Sequence, residues 1–188
     1  MNKTTILLTG ASGMVGRNIL DYPNAKKYKF LTPSSSELDL LNYRKVDEYI
    51  VQHNPTFVIH AAGKVGGIQA NIAHPVNFLV ENLEMGKNVI TASHKNGVKK
   101  LINLGSSCMY PRNAINPLNE DLILKGELEP TNEGYALAKI MSAKLCEYIS
   151  NQESSFKYKT IIPCNLYGRF DKFDPKHSHM IPAVIRKI

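Results

Sequence analysis

The stretch that decides the fold is Thr4–Gly16, TTILLTGASGMVG. Thr4 to Thr9 is a short β-rich run that ends at Gly10. Glycines recur at Gly13 and Gly16, ahead of apolar residues at helical spacing through Leu20. Strand, glycine turn and helix in that order set the free N–H groups of a helix N-terminus against a strand end, with few β-carbons in the way. A bare backbone there lets an anionic pyrophosphate approach closely, and the helix terminus favours its charge. Gly10, Ala11, Ser12, Gly13, Met14, Val15 and Gly16 are therefore the expected phosphate-binding loop of a dinucleotide site. A tight turn that holds nothing is the alternative; the strand before and the helix after favour the nucleotide.

Outward from this loop, strand and helix patterns alternate. Tyr28–Thr32 reads as a second strand, Tyr43–His53 as a helix with Val46, Tyr49 and Ile50 as its apolar positions, and FVIH, Phe57–His60, as a third strand. A long helical pattern runs from about Pro75 to Lys95 and stops at Asn96 and Gly97. Lys100–Leu104 is the next strand, Glu133–Ser150 the next long helix and Tyr158–Pro163 a further strand. The closing MIPAVIRKI is again helical in spacing. Short connections between alternating elements indicate an α/β fold, a Rossmann-type doubly wound parallel sheet with helices on both faces. The connection 112–132 is long enough to be a functional loop.

Composition narrows the function classes. A chain of 188 residues, 43% hydrophobic, supports one sizeable core. The early apolar run Ile6–Leu8 is shorter than a signal-peptide core, and nothing approaches the ~18 apolar residues of a membrane span. A soluble, cytoplasmic protein without a membrane partner is expected. Cys108, Cys146 and Cys164 form no CxxC pair and are odd in number, which fits free thiols in a reducing compartment. The formal charge of +7 favours anionic partners. Its Lys and Arg residues are scattered, however, and no RNA-binding aromatic motif or zinc-finger spacing accompanies them. A nucleotide-bearing small molecule fits; nucleic acid is not expected. His177 and His179 lack a third ligand at metal spacing, so no metal is expected.

After the second strand come Thr32, Pro33, Ser34, Ser35 and Ser36, with no acid before Glu37. An acid at the strand end would hold a ribose 2′-OH and repel a 2′-phosphate. Its absence favours NADP, with Ser35 and Ser36 offering hydroxyls. Asp39 and Leu40 are candidates for the adenine edge and face, and Ala61, Ala62 and Gly63 are small enough for close approach. Tyr135 and Lys139, in NEGYALAKIM, lie four apart and share a helix face. A lysine cation lowers a nearby phenol from its usual pKa of ~10 and improves it as a proton relay. Ser106, at the strand end in LGSSCMYP, would donate to the same substrate oxygen. Cys108 is the oddity, because a serine alone serves simple carbonyl reduction. A small buried hydrophobe is the commoner fate of a free Cys, but a thiol with a free pKa of ~8.5 beside those serines points to a second, proton-exchanging reaction. His60 and Cys146 read as packed core residues.

The ordered set TGASGMVG, AAGKVGGI, GSSCMYP, EPTNEGYALAK and NLYG resembles the extended short-chain dehydrogenase/reductase family, from the first strand to Arg186. KVGGI, the GSSC strand end and SHMIPA are similar to its branch of bifunctional enzymes that epimerise GDP-4-keto-6-deoxy-D-mannose at C3 and C5 and reduce it at C4. The resemblance implies that Ser106, Tyr135 and Lys139 form the reductive triad with NADPH. It likewise implies that Cys108 and His179 are the epimerising pair, with Cys108 as base. By the same resemblance Leu104, Gly105, Pro163, Asn165, Leu166 and His179 border the cofactor, while Ser107, Asn165 and Lys187 meet the substrate. It also implies a homodimer through the two long helices, with residues 1–168 as the dinucleotide-binding domain and 169–188 as the start of a substrate-binding region. Another nucleotide-sugar epimerase or reductase, or a catalytically impaired NADP-binding scaffold, stays open. Family arginines that grip the 2′-phosphate match Ser12 and Ser35 here. A third, on the substrate phosphates, matches Lys187, which keeps charge but loses the planar fork. The family continues beyond the position of Ile188, so most of its substrate lobe is expected to be missing from this chain.

Overall fold

A computed structural model describes residues 3–171, 173 and 180–187. Five strands, β1 (Thr5–Thr9), β2 (Lys29–Leu31), β3 (Phe57–His60), β4 (Lys100–Leu104) and β5 (Lys157–Ile161), form one sheet in the order β2-β1-β3-β4-β5. Every neighbouring pair is parallel. Helices α1 (Met14–Asp21), α2 (Tyr43–His53), α3 (Ile68–Ala73), α4 (Pro75–Lys95), α5 (Glu133–Gln152) and α6 (Met180–Lys187) lie between or after them. Parallel neighbours need crossovers, and the helices supply them.

Local chemistry sets the ends of these elements. The Asn42 side chain accepts from the Lys45 N–H and caps α2. Pro75 opens α4, where its missing N–H costs nothing. Beyond α4, Gly97 takes a left-handed φ of +74° and its N–H bonds the His94 carbonyl.

Strand alternation gives the sheet two unlike faces. On one, Leu31, Leu7, Val58, Leu101 and Tyr158 stand in register across all five strands. α2, α4 and α5 cover this row with Val46, Ile50, Val89, Ile90, Cys146 and Ile149, making the main core. On the other face the β3–β5 side carries half-buried Phe57, Ile59 and Ile102 and exposed Lys100, Lys157 and Lys159. The expected doubly wound sheet is present in order and direction, but among the described residues its second face is covered unevenly.

One row nearer the strand C-termini, the covered face turns polar: Thr9, His60, Asn103 and Thr160 align across four strands. His60 is buried and its Nδ1 pairs with the Thr9 hydroxyl at 2.8 Å. Asn103 donates to the Thr160 hydroxyl at 3.2 Å. This row underlies the strand ends that carry the candidate chemistry. The core reading of His60 and Cys146 holds, since both are buried.

Candidate active site

The glycines of the first loop do different jobs. Gly10 has φ +72°, and a β-carbon there would lie 2.6–2.7 Å from the Ala61–Ala62 backbone. At Gly16 one would lie 2.4 Å from the Gly10 carbonyl. Both are demanded by the chain's own close packing, which draws Ala61 and Ala62 against the loop. Gly13 differs: a β-carbon would touch only the Gly10 oxygen, at 3.3 Å. Gly13 is the exposed N-cap of α1 and makes no side-chain cap bond. Its bareness leaves open the approach to a helix N-terminus, as a dinucleotide pyrophosphate requires. Ser12 is exposed beside it, Met14 and Val15 are half-buried, and Ala11 is buried.

After β2 the first acid folds back onto its own loop while staying exposed. Glu37 accepts from the Ser34 N–H and hydroxyl, both at 2.8 Å, which holds its carboxyl below the usual range. Ser36 bonds Ser34, while Ser35 is exposed. Asp39 caps its own turn through the Leu41 N–H at 3.0 Å. Leu40 is half-buried and packs against the edge of the main core.

The reactive side chains converge where β4 ends. Ser106 is extended, and a 3₁₀ turn over Ser107–Met109 then swings Cys108 back, anchored by fully buried Met109. The Ser107 N–H bonds the Pro163 carbonyl at 3.1 Å and ties this turn to the segment after β5. The Ser106 hydroxyl lies near both the Cys108 thiol and the Tyr135 phenol and favours the ionised form of each. Lys139, one turn along α5 and 7% exposed, donates to the Leu104 carbonyl at 2.9 Å. Its Nζ lies 5.7 Å from the Tyr135 ring centre. A β-carbon at Gly63 would come within 3.5 Å of that Nζ, so the loop after β3 closes over the lysine. Gly105 is buried against Met109 and Thr160, and packing alone accounts for its size.

Electrostatics corrects one expectation. Lys139 does not draw the Tyr135 phenol down. Burial pushes the phenol above its ordinary value, aided by the nearby Cys108, and the Ser106 hydrogen bond opposes this more weakly. Burial also lowers Lys139 to about 8, with Cys108 acting against it. The Cys108 thiol is pushed up by burial, with Ser106 and Lys139 pulling it back. Desolvation of the charged form outweighs the pairwise attractions in a pocket this enclosed.

The remaining expected residues are scattered. Pro163 is half-buried at the sheet end, whereas Asn165 and Leu166 are exposed beyond it. Leu166 and Tyr167 form a groove with Met14, Val15, Ile19 and Tyr22 beside α1. Lys187 is exposed at the end of α6. His177 and His179 lie outside the described residues. Sequence reading missed α3 and the cavity it forms with the starts of α4 and α5, which borders Tyr135. The Gly66-Gly67 pair before Ile68 was the available signal.

Fold and site together define a dinucleotide-binding protein of the Rossmann type, with a serine–tyrosine–lysine group at the strand ends. Residues 6–188 match the model of the NAD dependent epimerase/dehydratase family, and the chain belongs to that family. It is 64% identical over 97% of its length to a GDP-L-colitose synthase of Yersinia pseudotuberculosis, covering 59% of that protein. With a GDP-L-fucose synthase of Azorhizobium caulinodans it shares 51% identity over 97% of its length and 58% of the relative's. Among solved structures, a GDP-D-glycero-L-gluco-heptose synthase from Campylobacter jejuni, determined in the presence of NADPH, superimposes with a TM-score of 0.93 at 34% identity. That match covers 100% of this chain and 55% of the other. The chain thus spans just over half the length of these relatives.

Proposed function

We propose that this chain supplies the cofactor-binding and reacting part of an NADPH-dependent enzyme that inverts and reduces a GDP-linked 4-keto-6-deoxyhexose. One observation carries the reading: Ser106, Cys108, Tyr135 and Lys139 gather at the C-terminal end of β4, on the same edge of the parallel sheet as the open N-terminus of α1 that follows β1. The relative solved with NADPH supports the cofactor. Residues 1–168 then bind the dinucleotide, with 169–188 opening the substrate-binding region.

In this reading the Ser106 and Tyr135 hydroxyls donate to the C4 ketone oxygen. Drawing charge onto that oxygen acidifies the hydrogens on the neighbouring carbons. Cys108 takes such a proton from one face, and His179 returns one to the other, which inverts the centre. The Lys139 ammonium favours the thiolate that burial otherwise disfavours. Bound NADPH supplies the hydride for C4. Tyr135 gives its proton to the C4 oxygen as the alcohol forms, and Lys139 stabilises the phenolate left behind.

Two products fit. The motif set implies GDP-L-fucose, and the higher identity to the Yersinia protein favours GDP-L-colitose. The two sugars differ only in the hydroxyl at C3. Without it C3 is not a stereocentre, and only inversion at C5 changes the sugar. The full-length enzyme should oxidise NADPH with the 4-keto-6-deoxy or the 4-keto-3,6-dideoxy GDP-mannose derivative, with higher kcat/KM for the second if colitose is the product. NADPH binding without turnover of either would leave the scaffold reading in its place. The exposed stripes Val76 and Val80 on α4, and Leu137, Met141 and Tyr148 on α5, support a homodimer through these helices.

A further inference from the structure

We propose that residues 163–170 form a strap along the proposed cofactor cleft, that Arg17, Asn18 and Asp21 of α1 latch it through Arg169 and Phe170, and that this latch sets how fast the dinucleotide leaves. The inference rests on the cofactor binding proposed above and goes beyond it to the residues that govern release. β5 is an edge strand, and β4 and β3 separate it from β1, the strand that leads into α1. The chain after β5 nevertheless reaches that helix. It leaves beside the Ser106–Cys108 turn, where the Pro163 carbonyl accepts the Ser107 N–H at 3.1 Å. It arrives beside the first turn of α1, where Leu166 and Tyr167 share a groove with Met14 and Val15. The strap thus joins the two ends of the proposed site, the reacting strand end and the pyrophosphate loop.

Three side chains of α1 hold its far end. Asn18 Nδ2 donates to the Arg169 carbonyl at 2.9 Å, Asp21 pairs with the Arg169 guanidinium at 2.6 Å, and the Arg17 guanidinium lies over the Phe170 ring, 4.0 Å from its centre. Arg169 adds a second guanidinium over that ring at 4.8 Å. These contacts hold an unfavourable backbone: Phe170 has φ +70°, a left-handed conformation that a bulky side chain rarely adopts. Such strain persists only where the surroundings impose it. The ties are individually weak, because Arg17, Asn18, Asp21 and Arg169 are exposed, and exposed ion pairs and cation–π contacts contribute little. Weak ties set against strain leave the strap near balance between latched and open, as a segment that must move for a ligand requires. Among the described residues the main core includes nothing from 163–170, so the strap can open without unfolding the sheet.

The test follows NADPH dissociation from the full-length enzyme by stopped-flow fluorescence, with affinity for 2′,5′-ADP, which lacks the nicotinamide half, measured by calorimetric titration. Arg17→Ala and Phe170→Leu should each raise the NADPH off-rate about three- to fivefold, the scale of one exposed cation–π contact. Combined, they should raise it no further, since both break the same contact; adding Asp21→Ala should multiply it again. Phe170→Tyr, which keeps the aromatic face, should stay within about twofold of wild type. Affinity for 2′,5′-ADP and the urea midpoint should hold at their wild-type values in every variant. An unchanged NADPH off-rate in the triple variant, or a matching loss of 2′,5′-ADP affinity, would overturn the latch. A wild-type enzyme that binds neither NADPH nor 2′,5′-ADP would overturn the proposed function itself.

Discussion

The two faces of the sheet are made by the same five strands and have opposite fates. Leu101 and Ile102 are neighbours in β4, yet Leu101 is fully buried beneath α4 and α5 whereas Ile102 is half-buried. The buried face also carries the polar row and, through α5, Tyr135 and Lys139. Packing and the proposed chemistry are therefore coupled on one side: the helix that seals the core is the helix that carries Tyr135, the proposed proton donor. The other side contributes Gly13 and α1, where bareness matters more than burial.

The largest expected effect lies on the covered side. Tyr135→Phe should lower the rate of C4 reduction by about 10²–10⁴-fold, with NADPH affinity retained, in stopped-flow measurements on the full-length enzyme. If Lys139 acts as an ammonium, the reduction rate of the parent enzyme should fall as pH rises through about 8, where its proton is lost. Lys139→Arg should then flatten that limb.

The next effect tests the contrast between the faces directly. Leu101→Ala should cost about 2–5 kcal/mol in urea unfolding, as buried leucine truncations do. Ile102→Ala, one residue along, should cost about 1 kcal/mol or less. Equal losses would mean that the second face is as tightly packed as the first.

A third effect belongs to the polar row. Burial, with the Lys139 charge behind it, lowers His60 to about 3 from an ordinary 6.5. Between those values the unfolded chain binds the proton and the folded one does not, so stability rises with pH across that window and is lost on acidification. The slope should approach about 1.4 kcal/mol per pH unit below 6.5, and His60→Leu should remove it. The smallest effect on folding is Met141→Glu, on a side chain 56% exposed. It should leave stability within about 0.5 kcal/mol yet split the proposed homodimer into monomers in light scattering.

Much of this was legible in the sequence where a local signal coincided with burial. The bounds of α2, β3, α4 and β4 match their patterns residue for residue, because Asn42, Pro75 and Gly97 punctuate them. β2 and β5 shifted by one or two residues, since a strand ends where its partner's ladder ends: β2 pairs with β1 over only three positions. α3, at six residues, is too short for a period to show. Spacing placed Tyr135 and Lys139 together but gave the wrong sign for the phenol. Desolvation depends on what encloses a side chain, and Met109 and Ser106 are brought there by the fold. The cavity bordered by Tyr135 is likewise assembled from three separate segments.

The most direct measurement is the wash-in of solvent deuterium into the keto sugar by the full-length enzyme before NADPH is added, followed by mass spectrometry. Wild type should exchange ring hydrogens beside C4, faster as pH rises toward the thiol's elevated pKa, while Cys108→Ser should lose this exchange and still bind NADPH. Exchange by Cys108→Ser at the wild-type rate would contradict the assignment of proton transfer to that strand end.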